Sequence, residues 1–482
     1  WALSSPIGSS PDDDFHLPSI WCSATAPGHL CRDLGPSDRD GYRSVEVPAA
    51  LGPNVACYRY QMFQSAACQT SPSDSRIVTT ANGDLYPGGY YDLLGFFASG
   101  HVVQSVVVMR LVNFVLCVAM VGSAMCFARP SLRRSSVVAL GATFVPMTSF
   151  LWSSTNPSGV VVASVASVWI LLRSLADDQS RRRAIIGWSL LVVCALLGLV
   201  SRSDAGLFLL IAAGSVLLLQ PRDRVVRLLR QRIVVVVALL ALLSIALAFA
   251  SRFPDSGPLV GMQKVDYDRG FGEVFFYNFV NIPLMWTGAL GAQGLGWLDT
   301  PMPVFVPFIM VSLVVVLVLV GLATGTRAVA RATFVVIALL IVVPYYVMAT
   351  DRSLVGEIFQ SRYLLPLLPV LVMCALSSNR RVAEGSIPRS LWTSGWVAVG
   401  LANSIAIHAN IRRYTTGVEY RTWNLDSPRE WWWNWGPSPL ATWIIGSLGF
   451  LVVGVATSRL LAVTEGELAV QGGYLPTDQL MK

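Results

Sequence analysis

Lysine is almost missing from this chain. Only Lys264 and Lys482 are lysines, so arginine supplies nearly all of the 35 basic side chains. A genome-wide codon bias produces such a skew, and an arginine here is weak evidence that a guanidinium was required. Charge of either sign is scarce, at 13% of residues against 54% hydrophobic, which excludes an ordinary soluble protein of this length. Histidines number four, and His29, His101 and His408 lack metal-ligand spacing. The cysteines form no CxxC or Cys/His pattern, so nothing points to structural zinc. No initiator methionine or signal peptide opens the chain at Trp1. The expectation is a span just upstream, with Trp1-Ala2-Leu3 as its outer end; a cleaved signal sequence is the alternative. Transporter-like internal repeats are also lacking.

What the chain has is apolar runs. About eleven are long enough to cross a bilayer: 102–128, 136–152, 158–172, 184–200, 205–219, 233–250, 304–323, 332–349, 363–377, 392–409 and 441–458. Alternate loops carry the arginines: Arg129, Arg133 and Arg134; Arg173 and Arg181 to Arg183; Arg222 to Arg232; Arg327 and Arg331; Arg380, Arg381 and Arg389. The intervening short loops hold Arg202, Arg352 and Arg362 alone. The positive-inside rule then puts 1–101, 251–303 and 410–440 on the outer face. The expected organisation is an all-α polytopic membrane protein. It has an outer cap (1–101), a six-span block (102–250), an outer amphipathic loop (251–303) and a four-span block (304–409). A Trp-rich outer loop (410–440), a last span (441–458) and a cytoplasmic tail (459–482) follow. The arginine clusters suit orientation and contact with anionic lipid better than nucleic acid.

Cys22, Cys31, Cys57 and Cys68 fall in the outer cap, where an oxidising compartment favours two disulfides. Three pairings are open; the local one, Cys22–Cys31 and Cys57–Cys68, closes the shortest loops. Cys117, Cys126, Cys194 and Cys374 lie in spans and read as packing residues.

Three motifs carry chemistry. Ser10-Pro11-Asp12-Asp13-Asp14-Phe15-His16 reads as a helix start, with Ser10 capping and Pro11 in the first position. Asp12, Asp13 and His16 would share a face, as a general base or a site for a divalent cation, Mg or Mn; an acidic capped helix end is the plainer reading. Ser201-Arg202-Ser203-Asp204 is either a phosphate ligand held by its own carboxylate or a local ion pair. In Gln360-Ser361-Arg362-Tyr363-Leu364-Leu365-Pro366, the forked donors of Arg362 suit phosphate oxygens, or the side chain snorkels beside an interfacial tyrosine. Lys264, Asp266, Asp268 and Arg269 read as substrate contacts or a solvated charge cluster, and Trp431 to Trp433 with Trp435 as a sugar-stacking surface or an interface belt. Tyr86 to Tyr91 reads as a turn hinged at Gly88-Gly89.

The opening stretch Trp1 to Cys22 resembles a motif of uncharacterised bacterial multi-span proteins, roughly Pro-Asp-Glu/Asp-x-x-His. Gln360, Arg362, Tyr363 and Pro366 resemble the same group's Gln-Gly-Arg-Tyr-x-x-Pro motif, with Ser361 in place of the usual glycine. That group resembles the GT-C superfamily of membrane glycosyltransferases. The resemblance implies an outer-face enzyme with a polyprenyl-phosphate sugar donor and a glycan or glycolipid acceptor. Asp12 or Asp13 would then act as base, assisted by His16, with Arg362, Tyr363, Gln360 and Arg202 on the donor phosphate. Asp204, Lys264, Trp432 and Trp433 would contact substrate. A transporter or flippase of lipid-linked sugars, or a non-catalytic envelope-assembly scaffold, is the alternative; scarce charge deep in the spans and large one-sided loops argue against transport.

Overall fold

The computed structural model describes residues 1–69, 75–177, 179–221, 268–357, 359–379 and 388–471, with isolated positions 226 and 382. Lys264, Asp266, the 233–250 run, Arg380 and Arg381 lie outside the described residues.

Fourteen α-helices are distinguished among the described residues. The first two belong to the cap: α1 (Asp13–Trp21) and α2 (Gly89–Gly95). Then come α3 (Val102–Phe127), α4 (Pro130–Thr143), α5 (Pro146–Trp152), α6 (Pro157–Leu175), α7 (Arg181–Ser201) and α8 (Ala205–Leu218). After the undescribed stretch follow α9 (Phe271–Thr287), α10 (Phe305–Thr324), α11 (Arg327–Thr350), α12 (Leu367–Leu376), α13 (Arg389–Thr415) and α14 (Pro439–Gln471). Six of them are long and apolar enough to cross a membrane: α3, α6, α7, α10, α11 and the Pro439–Ser458 part of α14.

The other expected spans differ for local reasons. The 136–152 run is broken into α4 and α5 with a 95° bend. Pro146 lacks the N–H a continuous helix needs and starts α5 instead. The 205–219 and 363–377 runs give short apolar helices, the second opened by a 3₁₀ turn, Ser361–Leu364. The 392–409 run lies inside α13, which continues into Arg412 and Arg413.

Helix α6 is the centre of the bundle. It packs on α3, α7, α8 and α12 and is buried along nearly all its length. Its start is a sequence signature: Asn156 accepts from the Ser158 N–H at 2.9 Å and Pro157 takes the first position. By contrast α14 is mostly exposed along its apolar length, as a helix at a bundle edge facing lipid should be.

Helix ends meet at two poles. At one, Arg183 donates to the Phe127 carbonyl (2.7 Å) and Arg331 to that of Leu218 (2.9 Å). Arg129 and Arg173 both pair with Asp177 there (3.4 and 3.5 Å). The cap sits at the other pole. The separation matches the alternation of arginine along the sequence.

The cap contains a three-stranded antiparallel sheet that helical periodicity gave no sign of, β1 (Arg32–Pro36), β2 (Tyr42–Pro48) and β3 (Arg76–Asn82), in that order. Val45 and Val47 alternate inward from β2, the period expected of a half-buried strand. The disulfides are the local pair, Cys22–Cys31 and Cys57–Cys68, with Cα separations of 5.2 and 6.1 Å. Peptide mass spectrometry on unreduced protein should recover both cystines, and Cys57→Ser with Cys68→Ser should lower thermal stability by about 2–4 kcal/mol. Four free thiols in protein isolated without reductant would contradict the pairing.

Candidate functional site

The first twelve residues are non-helical and mostly buried against the bundle. Arg110 of α3 donates to the carbonyls of Ala2 (3.0 Å), Ser5 (2.8 Å) and Pro6 (2.7 Å). Tyr58 holds Ile7, Trp297 holds Gly8 and Asn410 holds Ser4, each through a main-chain carbonyl. These contacts fix where Asp12 emerges.

The cap of α1 differs from the sequence expectation. Ser10 and Pro11 precede the helix, which starts at Asp13 after Asp12 adopts the left-handed conformation (φ 62°). A non-glycine residue there is strained, and aspartate is among the few that tolerate it. Asp13 reaches back to accept from the Ser10 N–H at 3.1 Å, and Thr155 donates to its other oxygen at 2.8 Å.

The three acids are thus sent in three directions. Asp12 points outward and pairs with Arg362 at 2.8 Å; its side chain is 43% exposed, that of Arg362 only 2%. Asp14 pairs with Arg59 at 2.6 Å, and burial raises its carboxyl above the ordinary range, helped by Asp12 and opposed by Arg59. Asp13 is wholly buried, and desolvation pushes its carboxyl up to about 6 against the pull of Arg110. Asp12 and Asp13 therefore do not converge on one point. Among the described residues no group of three or more His, Cys, Asp or Glu side chains is placed to hold a metal.

His16 is also buried, and its Nδ1 lies 2.9 Å from the Tyr91 hydroxyl. Burial lowers its imidazole to about 3; Arg202 and Arg362 add to that and Asp12 opposes it. At neutral pH it is an uncharged hydrogen-bonding group.

Two guanidinium groups lie beside it. Arg202 forms a two-point pair with Asp204 (2.9 and 2.7 Å) and donates to Ser158 Oγ at 3.2 Å. It stacks between the rings of Tyr86 (5.6 Å) and Tyr363 (5.4 Å). Arg362 also lies over Tyr363, at 5.3 Å. Its Nε and Nη1 are buried with no hydrogen-bond partner among the described residues, as is Oε1 of Gln360. An unpaired buried donor costs roughly 1–3 kcal/mol, more when charged, and calls for an explanation.

Ser361 occupies the place where the motif has glycine, and its hydroxymethyl fits because Gly288 faces it: a Cβ on Gly288 would lie 2.9 Å from Ser361 Cβ. Gln293 accepts from the Ser361 N–H at 2.9 Å and helps fix the turn before Arg362.

The structure brings Asp12, His16, Arg202, Asp204, Arg362 and Tyr363 into one cluster and leaves other expected residues out. Trp432 donates to the Pro437 carbonyl within its own loop (2.8 Å), and Trp433 donates to that of Leu3 (2.9 Å) and so braces the N-terminal segment. Arg269 pairs with Glu357 at 2.7 Å. Sequence reasoning missed Tyr86 and Tyr91 as wall residues, the Arg59–Asp14 pair, and the buried Arg413–Asp299 pair at 2.8 Å. Only the aromatic density of Tyr86 to Tyr91 was a usable signal; the ion pairs join residues far apart in sequence.

No curated protein and no solved structure matches the chain. A family model described as "Predicted membrane protein (DUF2142)" matches residues 1–371. With most of its length covered, and with helices apolar enough to span a bilayer, the chain belongs to this membrane-protein family.

Proposed function

We propose that the chain is an inverting glycosyltransferase that moves a sugar from a polyprenyl-phosphate donor to a glycan or glycolipid hydroxyl. The observation that carries this reading is the Asp12–Arg362 pair. A half-exposed carboxylate sits directly on a buried guanidinium that keeps two unpaired nitrogens. When a hydroxyl displaces a phosphate with inversion, a base must serve the attacking oxygen and an anion-stabilising group the phosphate leaving from the opposite face of the anomeric carbon.

In the proposed reaction the acceptor oxygen bonds to the anomeric carbon of the donor sugar. The bond from that carbon to the phosphate oxygen breaks, and its electron pair leaves with the polyprenyl phosphate. Asp12 takes the acceptor proton. Arg362, with Arg202 across the Tyr363 ring, stabilises the charge on the departing phosphate. Neutral His16 and buried Asp13 hold the Asp12 turn in place. This reading includes an outer-face site in the cytoplasmic membrane, with the arginine-rich pole inside. It also includes a GT-C-like arrangement of about eleven spans, to which the broken α4–α5 pair, α8, Ser361–Leu376, α13 and the 233–250 run would contribute.

The bent α4–α5 pair favours a second reading, since discontinuous helices line the substrate sites of transporters. One assay separates the two. The purified chain in liposomes is given a radiolabelled polyprenyl-phosphate sugar and a mixed glycan acceptor. Released polyprenyl phosphate with label in the glycan is the expected result. Intact donor moved to the opposite leaflet would make the chain a transporter.

A further inference from the structure

The loop closed by Cys57–Cys68 has no role in the chemistry above, yet it presents an unusual surface beside Asp12. Tyr60 adopts a left-handed backbone (φ 62°), is 69% exposed, and meets the Trp297 ring edge-on at 5.8 Å. Strain of that kind persists only where the surroundings over-determine it. Here they do. The Tyr60 N–H donates to Asp299 Oδ2 at 3.1 Å. That carboxylate is buried and itself held by Arg413, which also donates to the Tyr58 and Gln64 carbonyls of the same loop. A buried ion pair and a disulfide thus hold an aromatic side chain out in the open.

The groups around the ring are polar and paired. The Arg59 guanidinium lies 5.0 Å from the Trp297 ring centre and 5.8 Å from that of Tyr60, and its Nη1 is 2.6 Å from Asp14 Oδ2. Tyr42 of β2 packs edge-on against Phe15 of α1 at 5.3 Å. Arg59, Tyr60 and Asp14 are therefore joined into one rim, two residues along the chain from Asp12.

We infer that this rim binds the acceptor: a neutral saccharide ring stacks on Tyr60, and the Arg59–Asp14 pair hydrogen-bonds its hydroxyl groups. Neutral sugar is the class that fits. The guanidinium and carboxylate cancel, which leaves donors and acceptors with no net charge for an anion or a cation. A fixed aromatic face suits the apolar face of a sugar ring. The inference rests on the transferase reading for the word acceptor, but not for the binding itself.

The test is saturation-transfer NMR on the full chain in nanodiscs, with a panel of methyl hexopyranosides and methyl pentofuranosides as probes and no donor present. At least one glycoside should receive saturation mainly on one ring face. Tyr60→Phe should keep the signal, and Tyr60→Asn should weaken binding about tenfold, the scale of one aromatic contact. Asparagine tolerates the left-handed backbone, so that variant should fold; an unchanged melting temperature checks this. Arg59→Met should weaken binding as well. No saturation from any probe, or equal binding by Tyr60→Asn, overturns the rim as a sugar site. Saturation that depends on Tyr60 in a chain that never cleaves a polyprenyl-phosphate donor upholds the rim and removes the transferase reading.

Discussion

Asp12→Asn should reduce sugar transfer by roughly 10²–10⁴-fold, the usual cost of losing a general base, with little change in folding. Asparagine accepts the φ of 62° about as readily as aspartate. It also keeps an oxygen for the Arg362 hydrogen bond, and the half-exposed side chain limits the cost of lost charge. Asp13→Asn should behave in the opposite way. That side chain is enclosed and bonded to Thr155 and the Ser10 N–H, so transfer should fall by less than ~10-fold, below the general-base range, while stability changes. The sign can be worked out. The Asp13 carboxyl titrates near 6 when folded against an ordinary 3.8. The folded state therefore binds more protons between those values, and stability falls as pH rises from about 4 to about 6, by on the order of 3 kcal/mol. Above that the contribution is flat. Because the buried neutral His16 contributes the opposite slope over the same range, the Asp13 term should appear as the difference between wild-type and Asp13→Asn melts across pH 4–8, shrinking as pH rises to about 6 and flat above it. Equal loss of transfer in both variants would mean that the two acids act together and that the division drawn here is wrong.

Arg362→Lys should lower transfer by about 10²-fold or more, the scale of removing one preorganised donor to a developing anion. Lysine keeps the charge, so Asp12 keeps a partner. It loses the planar fork whose remaining nitrogens are unpaired in the wild type. The loss should appear in kcat and in weakened inhibition by free polyprenyl phosphate, with acceptor KM unchanged. If the guanidinium serves only as a counter-charge for Asp12, Lys should restore near-normal transfer and Arg362→Met should not.

Sequence reasoning picked out most members of the cluster and less of the fold around them. Asp12, His16, Arg202 and Arg362 could be picked out because each is a charged or titratable group just beyond an apolar run, where polar side chains are costly and few. Their meeting across up to 350 positions of sequence follows from packing around α6 and could not be read from spacing. The split between Asp12 and Asp13 was hidden for a similar reason. Neighbouring carboxylates look alike in sequence, and one left-handed residue turns them apart. The tryptophans were ambiguous because a run of aromatic residues serves equally for stacking on sugar and for bracing a chain. Here the indole N–H groups of Trp432 and Trp433 are bonded to main-chain carbonyls. Proline breaks inside apolar runs shortened the expected spans at Pro146, and the cap sheet was missed because β2 alternates over only a few residues.

The role proposed for Arg362, as phosphate ligand of a lipid-linked donor, can be seen in an electron cryomicroscopy map of the chain with bound polyprenyl phosphate. Headgroup density is expected within hydrogen-bond distance of Arg362 Nε or Nη1, near Tyr363 and Arg202, with Asp12 at the open side. Headgroup density at the opposite pole, among Arg129, Arg173, Arg183 and Arg331, would contradict it.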